Sequence, residues 1–258
     1  MNEVNTPKVS IIIPLYNYEE YVEQTLMSIL LQRINFNVEI VICDDRSTDK
    51  SLDVVRRIAK YYQNEKFKFN IIENETNLGY TGNTKKLLDN STGQYIAYID
   101  ADDFWIDPMK LQKQVDFLDN NLDYSMCITG HTILQDKNYI PNVNISNWLC
   151  PVNINSLNSE SLTEGNIVGS SSSRVFRNYP NLSNLIYDNY SELFPFPDWI
   201  MNFEYSLLGK IGYLDFSGYI YRLHGESEFS RDKTRWVEQE KSMKMTLKNQ
   251  LERRKTLA

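Results

Sequence analysis

A chain of 258 residues, 41% hydrophobic and 24% charged, can bury a full core, and its ordinary composition excludes a fibrous repeat or a disordered tail. A net charge of -7 argues against a general nucleic-acid binder, which needs a basic surface to displace counterions from phosphate. Cys43, Cys127 and Cys150 form no CxxC pair and cannot all be paired within one chain, so they read as buried free thiols in a reducing compartment.

The N-terminus, MNEVNTPKVSIIIPLYN, holds too short an apolar run for a signal peptide or a membrane span, and no later stretch reaches spanning length. The expectation is a soluble, cytoplasmic protein, at most held peripherally at the inner face of a membrane. Val9 to Ile13 is a β-branched run closed by Pro14 and reads as a strand buried on both faces of a parallel sheet. Tyr18 to Leu31 has helical spacing, with apolar residues at Tyr21, Val22, Leu26, Ile29 and Leu30, and Val38 to Cys43 is the next buried strand. The pattern repeats as helix Ser47 to Tyr62, strand Phe67 to Ile72, helix Thr81 to Asn90 and strand Tyr95 to Ile99. Such alternation predicts a parallel sheet with helices on both faces.

Beyond Asp107-Pro108, Lys110 to Asn120 reads as a helix and Tyr124 to Leu134 as a strand. From Gln135 to Ser173, Asn and Ser abound and periodicity fades, which predicts loops of the kind that carry substrate contacts. Trp199 to Leu208 is an apolar helix ended by Gly209, and Tyr213 to Leu223 a strand. From Arg231 onward the chain is helix-prone, with nine Lys or Arg against four Asp or Glu. It reads as a solvated helix packed on its own domain, or as a membrane-surface helix.

Ligands of open parallel sheets bind at the carboxyl ends of the strands. Here those ends carry Pro14-Leu15-Tyr16-Asn17, Asp44-Asp45-Arg46-Ser47, Glu73-Asn74 with Asn77-Leu78-Gly79 soon after, and Asp100-Ala101-Asp102-Asp103. Three carboxylates within four residues repel one another, and a divalent cation with its demand for hard oxygen ligands removes that repulsion. A capping loop or a solvated turn is the alternative. There is no GxGxxG after the first strand, no GxxxxGK[ST], no HExxH and no nucleophile elbow, so the chemistry falls to carboxylates and a cation.

The strings VSIIIPLYN, EIVICDDRSTDKS, NLGYTGNTKKLLDNSTGQYIAYIDADDFW, FPDW and YRLHG, in this order, resemble family 2 glycosyltransferases of the GT-A fold. The match is close to about Lys110, absent in the middle and looser at the late motifs. The resemblance implies an α/β architecture: a mostly parallel, Rossmann-like GT-A sheet flanked by helices, with a C-terminal helical extension. Residues 1–230 would form the glycosyltransferase domain, 1–110 its nucleotide-sugar-binding half and 111–230 its acceptor half, with 231–258 the basic extension.

The resemblance further implies transfer of a sugar, with inversion, from a nucleoside diphosphate to a carbohydrate, glycolipid or glycoprotein acceptor, with Mn2+ or Mg2+ as cofactor. A UDP-sugar is favoured because Tyr16 and Asp45 resemble a uridine site, the ring stacking on the base and the carboxylate accepting from its ring nitrogen. Pro14, Asn17, Asn77, Gly79, Lys85, Asp100, Ala101 and Asp102 complete the donor-site candidates. Asp102, Asp103 and His224 are the metal candidates, and Arg222 and His224 the diphosphate contacts. Asp198 is the candidate base, although an Asp before an apolar helical run is also what an N-cap looks like. Asp188 and Glu192 are fallback carboxylates. Thr84-Lys85 stands where family members often have Arg-Asn, and a lysine lacks the planar fork of arginine. Rival readings are a sugar nucleotidyltransferase, which lacks its Gly-rich triphosphate loop here, and a non-catalytic sugar-nucleotide-binding module.

Overall fold

A computed structural model describes residues 6–135, 137–143, 157–168, 170–187, 190, 197–224 and 233–257. Its first half is a run of βα units: β1 (Val9–Leu15), α1 (Val22–Leu30), β2 (Val38–Asp44), α2 (Ser51–Tyr62), β3 (Phe67–Glu73), α3 (Gly79–Asp89) and β4 (Tyr95–Tyr98). These strands pair in parallel in the order β3-β2-β1-β4. Helices cover both faces, so Val9, Ile11, Ile12, Ile13 and Leu15 are completely buried, as an uninterrupted apolar strand requires.

Pro14 does not close β1 as its ring suggested. The strand runs on to Leu15, with Pro14 opposite Cys43. Pairing with β4 has already ended at Ile12, so the missing N–H of Pro14 breaks no ladder bond. The helices after β1 and β2 start four residues later than their spacing suggests. The preceding backbone amides are spent between loops: Tyr18 donates to Ser51 Oγ (2.7 Å), Lys50 to Glu19 Oε2 (2.8 Å) and Thr48 to Asn17 Oδ1 (2.8 Å). Tyr18 and Lys50 then accept the amides of Val22 and Val54, so the helical ladders begin only there.

In the second half the pairing becomes mixed. β5 (Phe104–Trp105), α4 (Lys110–Asn120), β6 (Tyr124–Gln135), β7 (Asn138–Val143), α5 (Ser159–Leu162), β8 (Val175–Arg177), α6 (Leu182–Tyr187), α7 (Pro197–Leu208), β9 (Lys210–Leu223) and α8 (Lys233–Leu257) follow. The sheet continues β4-β8-β6-β9-β5, with β7 paired to β6. β8 is antiparallel to both neighbours, so its start lies beside the carboxyl end of β4. A single 3-10 turn, Ser171–Ser173, sits at that start. The expected loop region therefore contributes a hairpin strand, a short helix and this turn.

The C-terminal helix is not merely solvated. Met243, Leu247 and Leu251 are buried in the same core as Trp199, Ile200 and Phe203 of α7. Arg254 forms two hydrogen bonds (2.8 and 2.9 Å) with the fully buried Glu204 of α7, which also accepts from Tyr190. Lys248 and Lys255 pair with Glu164 and Glu160, so several of the basic residues that suggested a membrane surface face acidic partners on their own chain. Among the described residues no helix is long and apolar enough to cross a membrane. Cys43 and Cys127 are buried free thiols, and Cys150 lies outside the described residues.

Lys110, in the first turn of α4, is fully buried, its Nζ donating to Gln114 Oε1 (2.7 Å) above the Trp105 ring (4.3 Å). Burial pushes the ammonium down to about 7. Between that value and the 10.5 of a free lysine, the unfolded chain holds a proton that the folded chain has released. Stability should therefore rise with pH across this window. Urea unfolding at about pH 7 and about pH 9.5 should show the rise in the wild type and a smaller one in Lys110→Met. An unchanged slope would assign it to other groups.

Candidate active site

After β4 the chain turns through Asp100–Asp103, and residues distant in sequence hold this loop. Ser172 Oγ accepts the Asp100 amide (3.0 Å) and donates to Asp103 Oδ2 (2.6 Å). The Arg222 amide donates to Asp103 Oδ1 (3.0 Å), while its guanidinium donates to the Asp102 carbonyl (2.8 Å) and to Gln24 Oε1 (2.7 Å). The same guanidinium lies against Tyr21 and Phe104. From below, the Thr25 hydroxyl reaches the Ala101 and Asp103 carbonyls.

This holding involves three of the candidate residues. Asp103 is buried, and each of its carboxylate oxygens accepts a hydrogen bond, so it braces the loop. Ala101 is completely buried beneath the loop. Arg222 clamps the loop through its amide and guanidinium.

Asp102 and His224 face each other, Oδ2 to Nε2, at 2.9 Å. His224 packs beside Tyr21 and edge-on to Tyr18. The second histidine, His131, is buried within β6 and held down at about 4 by burial. Asp100 is half-buried, and its carboxyl is pushed up to about 8 by burial first and then by the charge of Asp102; Asp198 adds to the rise and Arg174 opposes it. Asp103 is also raised, again by burial and then by Asp102 and Asp100.

Carboxylates crowded in this way favour a neighbouring cation. Among the described residues no three His, Cys, Asp or Glu side chains are arranged to hold a metal on their own. Asp102 and His224 do supply one oxygen and one nitrogen donor side by side, a set that suits a divalent ion whose other ligands are diphosphate oxygens and water.

At the β1 and β2 ends, Tyr16 is 41% exposed and so offers a free ring face. Asp45 is buried, and its Oδ1 accepts from Asn74 Nδ2 (2.8 Å) and the Leu78 amide (2.7 Å). Asn77 donates to the Asp45 carbonyl, and its own side chain accepts the amide of Gly79, whose φ of +72° suits glycine. Thus Asn77 and Gly79 shape the start of α3 around Asp45. Asp44 Oδ2 accepts the Ser47 amide (3.2 Å), so this neighbouring carboxylate turns to its own loop.

Two further candidates bond within the protein. Asn17, at φ +57°, accepts from Thr48 and joins two loops. Lys85 pairs with Asp89 one turn along α3 and lies by Tyr187. The helical phase turns the next residue, Lys86, inward, where it donates to Asn74 Oδ1 (2.8 Å).

On the opposite side stands Asp198, in the first turn of α7. Its Oδ2 accepts from Asn166 Nδ2 (2.6 Å), and Asn166 is itself held by the buried Asn202 (2.9 Å), which lies one turn further along α7. The fully buried Arg174 reaches the Asp198 carbonyl. Tyr221 on β9 feels the charges of Asp100, Asp102, Asp103 and Asp198 together. Asp188 and Glu192 lie outside the described residues. Ser172, Asn166 and Arg174 were not singled out from the sequence, because the Ser- and Asn-rich stretch shows no period.

The sheet, with its acidic loop at the β4 end and a carboxylate across from it, is that of a GT-A glycosyltransferase. The sequence profile of Glycosyl transferase family 2 matches residues 10–181, and the chain belongs to that family. It is 28% identical over 221 residues to the Mycobacterium tuberculosis protein Rv1520; the match covers 84% of this chain but only 59% of that relative's length. Staphylococcus aureus TarS 1-349 in complex with UDP-GlcNAc shares the fold at a TM-score of 0.64 and 22% identity, over 87% of this chain and 61% of that one. The mannosyltransferase PcManGT from Pyrobaculum calidifontis, in complex with GDP-Man and Mn2+, does so at 0.61 and 18%, over 87% and 59%.

Proposed function

We propose that the protein transfers a sugar from a nucleoside diphosphate, a UDP-sugar in the favoured reading, to a carbohydrate acceptor hydroxyl with inversion of the anomeric centre. The observation that carries this is the pairing of Asp102 with His224 beside Asp100, which also feels the charge of Asp198, in a family 2 chain. Tyr16 and Asp45 would take the base, by stacking and by accepting a hydrogen bond. A carboxylate at Asp198, with one oxygen fixed by Asn166, has its other oxygen to take the proton of the attacking hydroxyl. Asp102 and His224 would hold Mn2+ or Mg2+, which when bound offsets the charge that builds on the leaving diphosphate. Asp100 would lie on the ribose side of that group.

Calorimetric titration with UDP and GDP, each with Mn2+ and with EDTA, tests this reading. Affinity should depend on the metal, and Asp102→Ala should weaken metal-dependent binding by at least about tenfold, the scale of one lost charged contact. Wild-type affinity in that variant would move the metal elsewhere. Binding indifferent to EDTA would remove the cation from the mechanism.

A further inference from the structure

A buried amide lies behind Asp198 where packing alone would call for an apolar side chain. Asn202 on α7 is completely buried, and its chain neighbours Met201 and Phe203 belong to the hydrophobic core, as does Trp199 one turn back. Its Nδ2 donates to Asn166 Oδ1 (2.9 Å), but its own Oδ1 has no partner among the described residues. An unpaired buried oxygen works against folding, and a leucine of similar size would avoid it. The amide is therefore explained by what its nitrogen holds.

Residues 198 and 202 are four apart on one helix and share a face, one turn from each other. Asn166 spans that gap: its Oδ1 accepts from Asn202 and its Nδ2 donates to Asp198 Oδ2 (2.6 Å). The segment that carries Asn166 is fastened to the same turn of α7. Trp199 Nε1 donates to the Leu162 carbonyl (2.7 Å), and Ile167 and Val168 are buried in the core that Trp199 enters. Asn166 sits at the tip of a three-residue turn, closed by the Ile167 amide on the Gly165 carbonyl (3.0 Å).

Of the two ends of an amide, only the nitrogen can donate to a carboxylate. Asn202 secures that orientation, because it supplies a donor to the oxygen end of Asn166. The chain of hydrogen bonds thus runs one way, from Asn202 through Asn166 to one oxygen of Asp198, and leaves Oδ1 for an incoming proton. We infer that Asn166 and Asn202 are positioning residues that fix the Asp198 carboxylate by one oxygen, so that the other meets the attacking hydroxyl at a set angle. The inference rests on the glycosyl-transfer reading with Asp198 as base, and adds to it the groups that aim that base.

Single-turnover release of UDP from UDP-GlcNAc and of GDP from GDP-mannose tests it on the full chain, with Mn2+ and with water as acceptor. Asn166→Leu should slow release by about 10–100-fold, the worth of one hydrogen bond to a charged group, while calorimetric affinity for the sugar nucleotide stays within about twofold. Asn202→Leu should slow release by about threefold to tenfold, yet melt no lower than wild type, since it removes the unpaired oxygen. In an Asp198→Asn background, Asn166→Leu should change the rate by less than about twofold, because no base is left to aim. Equal losses with and without Asp198, or a loss of affinity that matches the loss of rate, would make the pair structural. Wild-type rates in Asn166→Leu, or in Asn202→Leu should the first variant not fold, would remove the pair from the reaction. Each of these results overturns the inference with glycosyl transfer intact. A wild type that releases neither diphosphate would bring down the function reading and this inference with it.

Discussion

Replacing Asp198 with asparagine is expected to cut transfer by about 10²–10⁴-fold, the range for a lost general base, while sugar-nucleotide affinity stays within about twofold. The substitution preserves shape, and the amide oxygen can still accept the hydrogen bond that Asn166 gives to Asp198 Oδ2. The main change is the loss of a group that can take a proton. Release of nucleoside diphosphate under single-turnover conditions measures the first quantity and calorimetry the second. Two results would reassign the base: turnover close to wild type, or a parallel loss of donor affinity, which would mark Asp198 as a residue that holds the fold.

The second large effect concerns stability. Arg254→Met should lower the free energy of unfolding by about 3 kcal/mol, because Glu204 is fully buried and among the described residues would keep only Tyr190 as a partner. For a chain of this size that corresponds to roughly 6–12 °C in melting temperature. Urea denaturation followed by circular dichroism gives the free energy directly. Combining Arg254→Met with Glu204→Leu should recover most of the loss, since the cost lies in an uncompensated charge and not in missing volume. If the double variant is no more stable than the single one, packing of the arginine stem is what matters. The exposed pairs Lys248–Glu164 and Lys255–Glu160 should contribute little when removed.

The parts legible in the sequence were those with a local signature. Buried strands announce themselves as short apolar runs, β-branched in β1 and β2, and the alternation of such runs with helical spacing places β3 and β4, with Asp45, the acidic loop and Asp198 falling at element ends. What stayed hidden depends on contacts between distant segments. Nothing in the run Ser170 to Arg174 says that it will lie against Asp100, because that follows from β8 entering the sheet antiparallel.

Lys85 and Lys86 differ by one residue in helical phase, about 100° of rotation, so Lys86 reaches Asn74 while Lys85 pairs with Asp89. The C-terminal helix packs on its own domain, the first of the two readings its sequence offers. Its apolar face is narrow, but Met243, Leu247 and Leu251 recur at every fourth residue, and that single row is enough to seat the helix on α7.

The clamps on the acidic loop have a consequence for how the molecule is assembled. Ser172 and Arg222 bond to residues 72 and 120 positions earlier in the chain. A ribosome releases Asp100, Asp102 and Asp103 long before the groups that hold them, and contacts of such separation form late. Residues 1–110 expressed alone should therefore fold poorly as a nucleotide-binding unit, since they carry the carboxylates without their restraints. Cation affinity would then appear only once β8 and β9 have joined the sheet, so that it marks completion of folding and not its onset.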